Sequence, residues 1–328
     1  MKTIAALFKK VEVELPVFLI LAVKLPVEQI KVYGVFFCAL CLAAALLAGS
    51  VARHLKGREK KFVLVFATLF LAGDAAKTLF MPAYTVAADI LLKGLSLLCF
   101  LAALVVLRRC GSGRAKPGFA WSVALLCLAG TLAWPSFLFF YLPVVLIASA
   151  YEQPGKGKNG SRLSFHAAWF LPALCAGGYA VYGFYTGTKP LGIVPFAFLF
   201  KILPLRDILP AAAAALPLIV LLLLLWRHAL HSAAEQKTKR LLALCAAQPA
   251  GILLLNFFAY YAVSDGWKTY IAAAVFTQFC LLFYFAAARE KAVEAAFEKT
   301  AGFLLKKPLF LLAILIYLVQ SAQIFYPV

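Results

Sequence analysis

Three pairs of opposite charges lie inside apolar sequence. Asp74 and Lys77 stand in LAGDAAKTLF, Asp89 and Lys93 in AADILLKGLSLLCF, and Asp265 and Lys268 in FAYYAVSDGWKTYIAAAVFTQF. A charge at the centre of a hydrocarbon layer costs about 3 kcal/mol on insertion scales and more by simulation, so such residues face a bundle interior or a watery cavity. Apolar surroundings hold a carboxyl in its protonated form, and an ammonium group beside it can hold an anion. The chemistry open to these residues is proton transfer and anion binding at membrane depth. Asp89 and Lys93 are four apart and share a helical face; the plainer reading is that they neutralise each other. Lys268 is assigned to the water boundary, and Asp265 to a polar cavity at the outer end of its span. Ser264, beside Asp265, and Gln278, further along the same run, complete the candidates.

The elements that must position them are helices. The 328 residues are 65% hydrophobic and only 14% charged, which suits a multi-pass membrane protein and not a soluble domain. A crossing needs about 20 apolar residues. About ten spans are expected, at 30–52, 62–81, 84–107, 118–134, 136–151, 164–186, 208–226, 241–263, 268–288 and 308–326. The basic segments 53–61, 108–117, 152–162, 227–240 and 289–307 then fall on one side. That side is assigned to the cytoplasm, because Lys and Arg accumulate in cytoplasmic loops. The expected location is a bacterial inner membrane. The proline-broken segments 12–27 and 190–205 are too short to span comfortably, and 290–305 has the pattern of an amphipathic surface helix.

The same pattern narrows the function classes. The net charge of +19 sits in short loops between apolar runs, so no nucleic-acid partner is expected. Eight cysteines fall almost entirely inside the apolar runs and read as small packing residues. His54, His166, His228 and His231 lack zinc-ligand spacing, so no metal is expected. There is no GxGxxG after a strand and no GxxxxGK[ST], so no nucleotide cofactor is expected. Gly73-Asp74-Ala-Ala-Lys77-Thr78 and Ser264-Asp265-Gly-Trp-Lys268-Thr269 share a pattern of small residue, Asp, two residues, Lys, Thr, as two halves of an internal repeat would.

Four stretches in order carry a family resemblance: ILLKGLSLLCFLAAL (90–104), ALLCLAGTLAWPSFLF (124–139), ILPAAAAALPLIVLLLLLWRHAL (208–230), and the run with Ser264-Asp265-Gly266 and Gln278. They resemble, respectively, the Lys-bearing helix, the Gly-Asp helix, the Leu-Pro helix, and the Ser-Asp signature with its Gln helix of the YhhN/lysoplasmalogenase-like membrane proteins. The resemblance covers about residues 84–290, leaving 1–83 as an added interfacial segment with two spans and 291–328 as an amphipathic helix with a last span. The chain departs from the family at Gly130-Thr131, where the family has Gly-Asp, and has no clear counterpart of its His-bearing helix.

The resemblance implies cleavage of the vinyl ether bond of a lysoplasmalogen. That reaction protonates carbon and forms an oxocarbenium ion, which water then attacks. It needs a carboxyl held protonated near neutral pH and a nearby anion, a demand that glycosidases meet with two carboxyls. On this reading Asp265 is the acid, and Asp74 or Asp89 activates water or steadies the cation. Lys93 or Lys268 holds the phosphate, with Ser264 and Gln278 orienting substrate or water. Thr131 at the family's acidic position implies altered or lost chemistry. A second reading is a small-metabolite or lipid transporter of two five-helix halves, in which the same charges form a substrate or proton site. A third is a membrane sensor or scaffold.

Overall fold

A computed structural model describes residues 87–109, 118–134, 137–152, 175, 205–259, 266–307 and 312. Among them the chain is all-helical. The helices are α1 (Ala87–Arg109), α2 (Gly118–Ala133), the single turn α3 (Phe137–Phe140), α4 (Leu142–Tyr151), α5 (Leu205–Ser232), α6 (Gln236–Ala259), α7 (Gly266–Ala287) and α8 (Lys291–Lys306). The expected spans 30–52 and 62–81 lie outside the described residues, as do 164–186 and 308–326 apart from Cys175 and Leu312, both helical. Counted over the described residues alone, no helix is long and apolar enough to cross a membrane.

The chain divides into two compact units. One comprises 82–212 and 247–277, and its described core is α1 to α4. α1 packs most extensively on α2 and also meets α4. In sequence, Pro117 stands just before the first residue of α2 and Pro135 two residues after its last. Past the end of α2, the Trp134 N–H donates to the Gly130 carbonyl and the Phe137 N–H to the Trp134 carbonyl. Pro143, in the first turn of α4, has no N–H, which separates α3 from α4 at Tyr141. Tyr141 is buried and stacks on Phe100 at 4.6 Å, with Phe137 edge-on at 5.5 Å and Trp134 at 6.1 Å. This aromatic knot holds α1 against the α2–α4 turn.

The other unit comprises 1–81, 213–246 and 278–328. The basic segment expected as a loop over 227–240 is mostly helix: α5 runs to Ser232 and α6 starts at Gln236. RHALHS and QKTKR contain neither Gly nor Pro, and the cations of RHALHS complement the dipole at the C-terminus of α5. Charge therefore ends the apolar run without ending the helix. α7 closes in a Schellman turn, with Arg289 N–H donating to the Ala286 carbonyl and Glu290 N–H to the Phe285 carbonyl. Arg289 holds φ at 59°, where glycine is usual. The amphipathic helix expected at 290–305 is α8, and its stripe Ala292, Val293, Ala296, Phe297, Thr300, Ala301 and Leu304 is buried in the chain itself, with Phe297 stacked on Phe283.

Candidate functional site

Of the residues singled out for chemistry, Asp74, Ser264 and Asp265 lie outside the described residues. Asp89 and Lys93 both fall in the first half of α1, one turn apart, as their spacing predicts. Lys268 falls in the first turn of α7 and not in a connecting loop, because the helix starts at Gly266.

Gln278 sits in the middle of α7, almost fully buried, and its Nε2 donates to the Cys245 carbonyl of α6 at 2.9 Å. The reason is written in α6. Pro249 lies inside that helix. A helical carbonyl is normally taken by the N–H four residues on, and at Cys245 that residue is a proline with no N–H. The Gln278 amide supplies the missing donor. A proline inside a helical run is the sequence signal for such an orphaned carbonyl; it names the acceptor at once but not the donor.

Thr131 is buried, and its hydroxyl donates to the Cys127 carbonyl in its own helix at 2.8 Å. A carboxylate has no proton to give there. Gly130 beside it is required by packing: a Cβ would stand 2.5 Å from Cε2 of Phe137. The Gly130-Thr131 pair is thus a close-contact point for the aromatic knot, with its polar group satisfied internally.

One end of the α1–α4 unit carries an ion pair that sequence reading did not anticipate. Arg108, in the last turn of α1, meets Glu152 at the end of α4 at 2.7 Å, with the Glu152 side chain largely buried. Both residues were assigned to cytoplasmic-side segments. The bond joins those two helix ends. Asp89 and Lys93 lie toward the opposite end of α1. Among the described residues no group of three His, Cys, Asp or Glu could hold a metal ion, and Cys99, Cys127, Cys175, Cys245 and Cys280 are free thiols.

In the described part, Asp89 and Lys93 stand one turn apart in the first half of α1. A basic, ion-paired anchor occupies its other end. No family model, no curated protein and no solved structure matches this chain.

Proposed function

We propose that the chain is an integral membrane protein that acts on a lysolipid by hydrolysing its vinyl ether bond. The observation that carries the membrane reading is the outer surface of α2. Trp121, Leu125 and Leu132 are each more than half exposed, and with exposed Ala129 they run along one face of the helix. α1 adds exposed Leu92, Leu95 and Val105, and Leu216 and Leu223 of α5 are exposed as well. A helix apolar all round needs an apolar surrounding, and exposed apolar stripes of this length fit lipid. In sequence, α5 also holds a run without charge from Ile208 to Trp226.

The hydrolase reading rests on the resemblance, together with the charges that this apolar frame would hold. Asp265 gives its proton to the vinyl carbon β to the ether oxygen, the one that carries the alkyl chain, and the ether oxygen shares the positive charge that forms on the adjacent carbon. Asp89 or Asp74 takes a proton from water as its oxygen bonds to the adjacent carbon. The hemiacetal then collapses to a fatty aldehyde and a glycerophospho-head group, whose phosphate is held by Lys93 or Lys268. Aldehyde release from lysoplasmenylethanolamine by the detergent-purified chain tests this. The expected result is release by the wild type and its loss in Asp265→Asn. A folded wild type that releases nothing rejects the hydrolase.

Thr131 favours a second reading. Its hydroxyl is tied to its own helix, so the acid that the resembled family carries there has no counterpart. In a transporter the remaining Asp and Lys residues would bind substrate or protons without breaking a bond. Uptake of labelled lysolipid into proteoliposomes without chemical change is the expected outcome in that case.

A further inference from the structure

The last turn of α5 and the facing part of α8 bring together groups that the hydrolase reading does not use. Arg227 and His231 are one turn apart on α5, and His228 and Ser232 are one turn apart beside them. Lys299 reaches over from α8, and its Nζ donates to Ser232 Oγ at 3.0 Å. That bond leaves the ammonium two further donors and leaves the Ser232 hydroxyl its own proton to give. Nε2 of His228 is buried and has no hydrogen-bond partner among the described residues. Arg227, His231 and Lys299 are exposed.

We propose that Arg227, His228, His231, Ser232 and Lys299 form a binding site for a phosphate group, carried by an anionic lipid head group or by free phosphate. The donor set fits a tetrahedral oxyanion: a guanidinium fork, an ammonium, a hydroxyl and imidazole N–H groups. The local field points the same way. Burial holds the His228 imidazole below its ordinary pKa, and Lys299, Arg227 and His231 add to this. Glu235 and Glu298, the nearest carboxylates in sequence, are exposed. An opposing effect is the C-terminal end of α5, which carries about half a negative charge. The two permanent cations, Arg227 and Lys299, outweigh it. A bound anion relieves the repulsion at His228. The site is independent of the hydrolase reading, which places its phosphate-holding lysines elsewhere.

The test uses the full chain with ¹³C-labelled histidine. The chain has four histidines, so a His228→Gln variant assigns the resonance. In one arm, inorganic phosphate is titrated into the detergent-solubilised protein, with chloride at equal ionic strength as control. In the other, the protein sits in phosphatidylcholine nanodiscs with and without phosphatidate. The expected result is a saturable shift of His228 and an upward move of its titration, weakened about tenfold or more in Arg227→Gln/Lys299→Gln. A response to inorganic phosphate identifies free phosphate as the ligand, and a response only to phosphatidate identifies a lipid head group. No response in either arm overturns the site. So does a response that survives unchanged in the double variant or in Lys299→Gln, a single change at an exposed residue.

Discussion

At the scale of single residues, Gln278 and Thr131 each donate to a backbone carbonyl. Gln278 donates to the carbonyl left open by Pro249, so the two positions are coupled. Gln278→Leu is expected to destabilise the protein by about 1–2 kcal/mol, because it leaves the buried Cys245 carbonyl without a donor. In a Pro249→Ala background the new N–H takes over the Cys245 carbonyl, and the same change should cost about 1 kcal/mol less. A double-mutant cycle by thermal or denaturant unfolding measures this, and additive effects would remove the explanation. Gly130→Ala presents two opposing effects. Helix propensity favours Ala by about 1 kcal/mol, while the new Cβ strikes the buried Phe137 ring, which Tyr141 holds edge-on. Overpacking costs about 1–3 kcal/mol, so the variant is expected to be less stable, with Phe137→Leu restoring it. His228 gives a pH dependence. Its folded form resists protonation because of burial, then Lys299, Arg227 and His231. The unfolded chain then binds the extra proton first, so stability is full above about pH 6.5 and falls as pH drops below it. Unfolding of wild type and His228→Gln across that range should show the dependence reduced in the variant.

At the scale of elements, the boundaries show what was legible in the sequence and what was not. α1, α2, α6 and α7 lie where the apolar runs predict, because punctuation by Pro117, Pro135 and the 108–117 segment coincides with loss of apolar character. α8 was legible from its period alone. The 227–240 segment was not, because a run of cations marks a change of surroundings and does not stop a helix. The links between helices were not legible either: Arg108 with Glu152 and Lys299 with Ser232 join residues 44 and 67 apart in sequence. The candidate acids fared differently from the frame. Asp89 and Lys93 fall on α1 at the expected spacing, whereas Asp74 and Asp265 lie outside the described residues. The α7–α8 corner carries its own prediction. Arg289 occupies the left-handed position of a Schellman turn without glycine's freedom. Arg289→Gly is expected to raise stability by about 0.5–1 kcal/mol, while Arg289→Ala gives no gain. A gain in both would point to removal of charge, not relief of backbone strain.

At the scale of the whole molecule, the decisive question is what surrounds the helices. A folded chain in water places polar residues on its exposed helix faces, because nothing offsets the cost of leaving Leu and Trp there. The outer face of α2 does the reverse. Trp121 is 62% exposed, and Leu125 matches it one turn further on. In a bilayer the same face is in contact with acyl chains and incurs no such cost. The chain has five tryptophans, so the signal of one of them can be isolated by subtraction. In vesicles of phosphatidylcholine with brominated acyl chains, wild-type fluorescence is expected to be quenched more strongly than that of Trp121→Phe. The missing component is the one assigned to α2. A Leu125→Lys variant adds a second readout, since a lysine near the middle of a membrane helix costs about 3 kcal/mol of insertion, and less of the protein should reach the membrane fraction. Quenching indifferent to Trp121, with Leu125→Lys inserted normally, would mean that protein covers this face. The apolar stripe of α2 would then be an interface between polypeptides and not a surface for lipid.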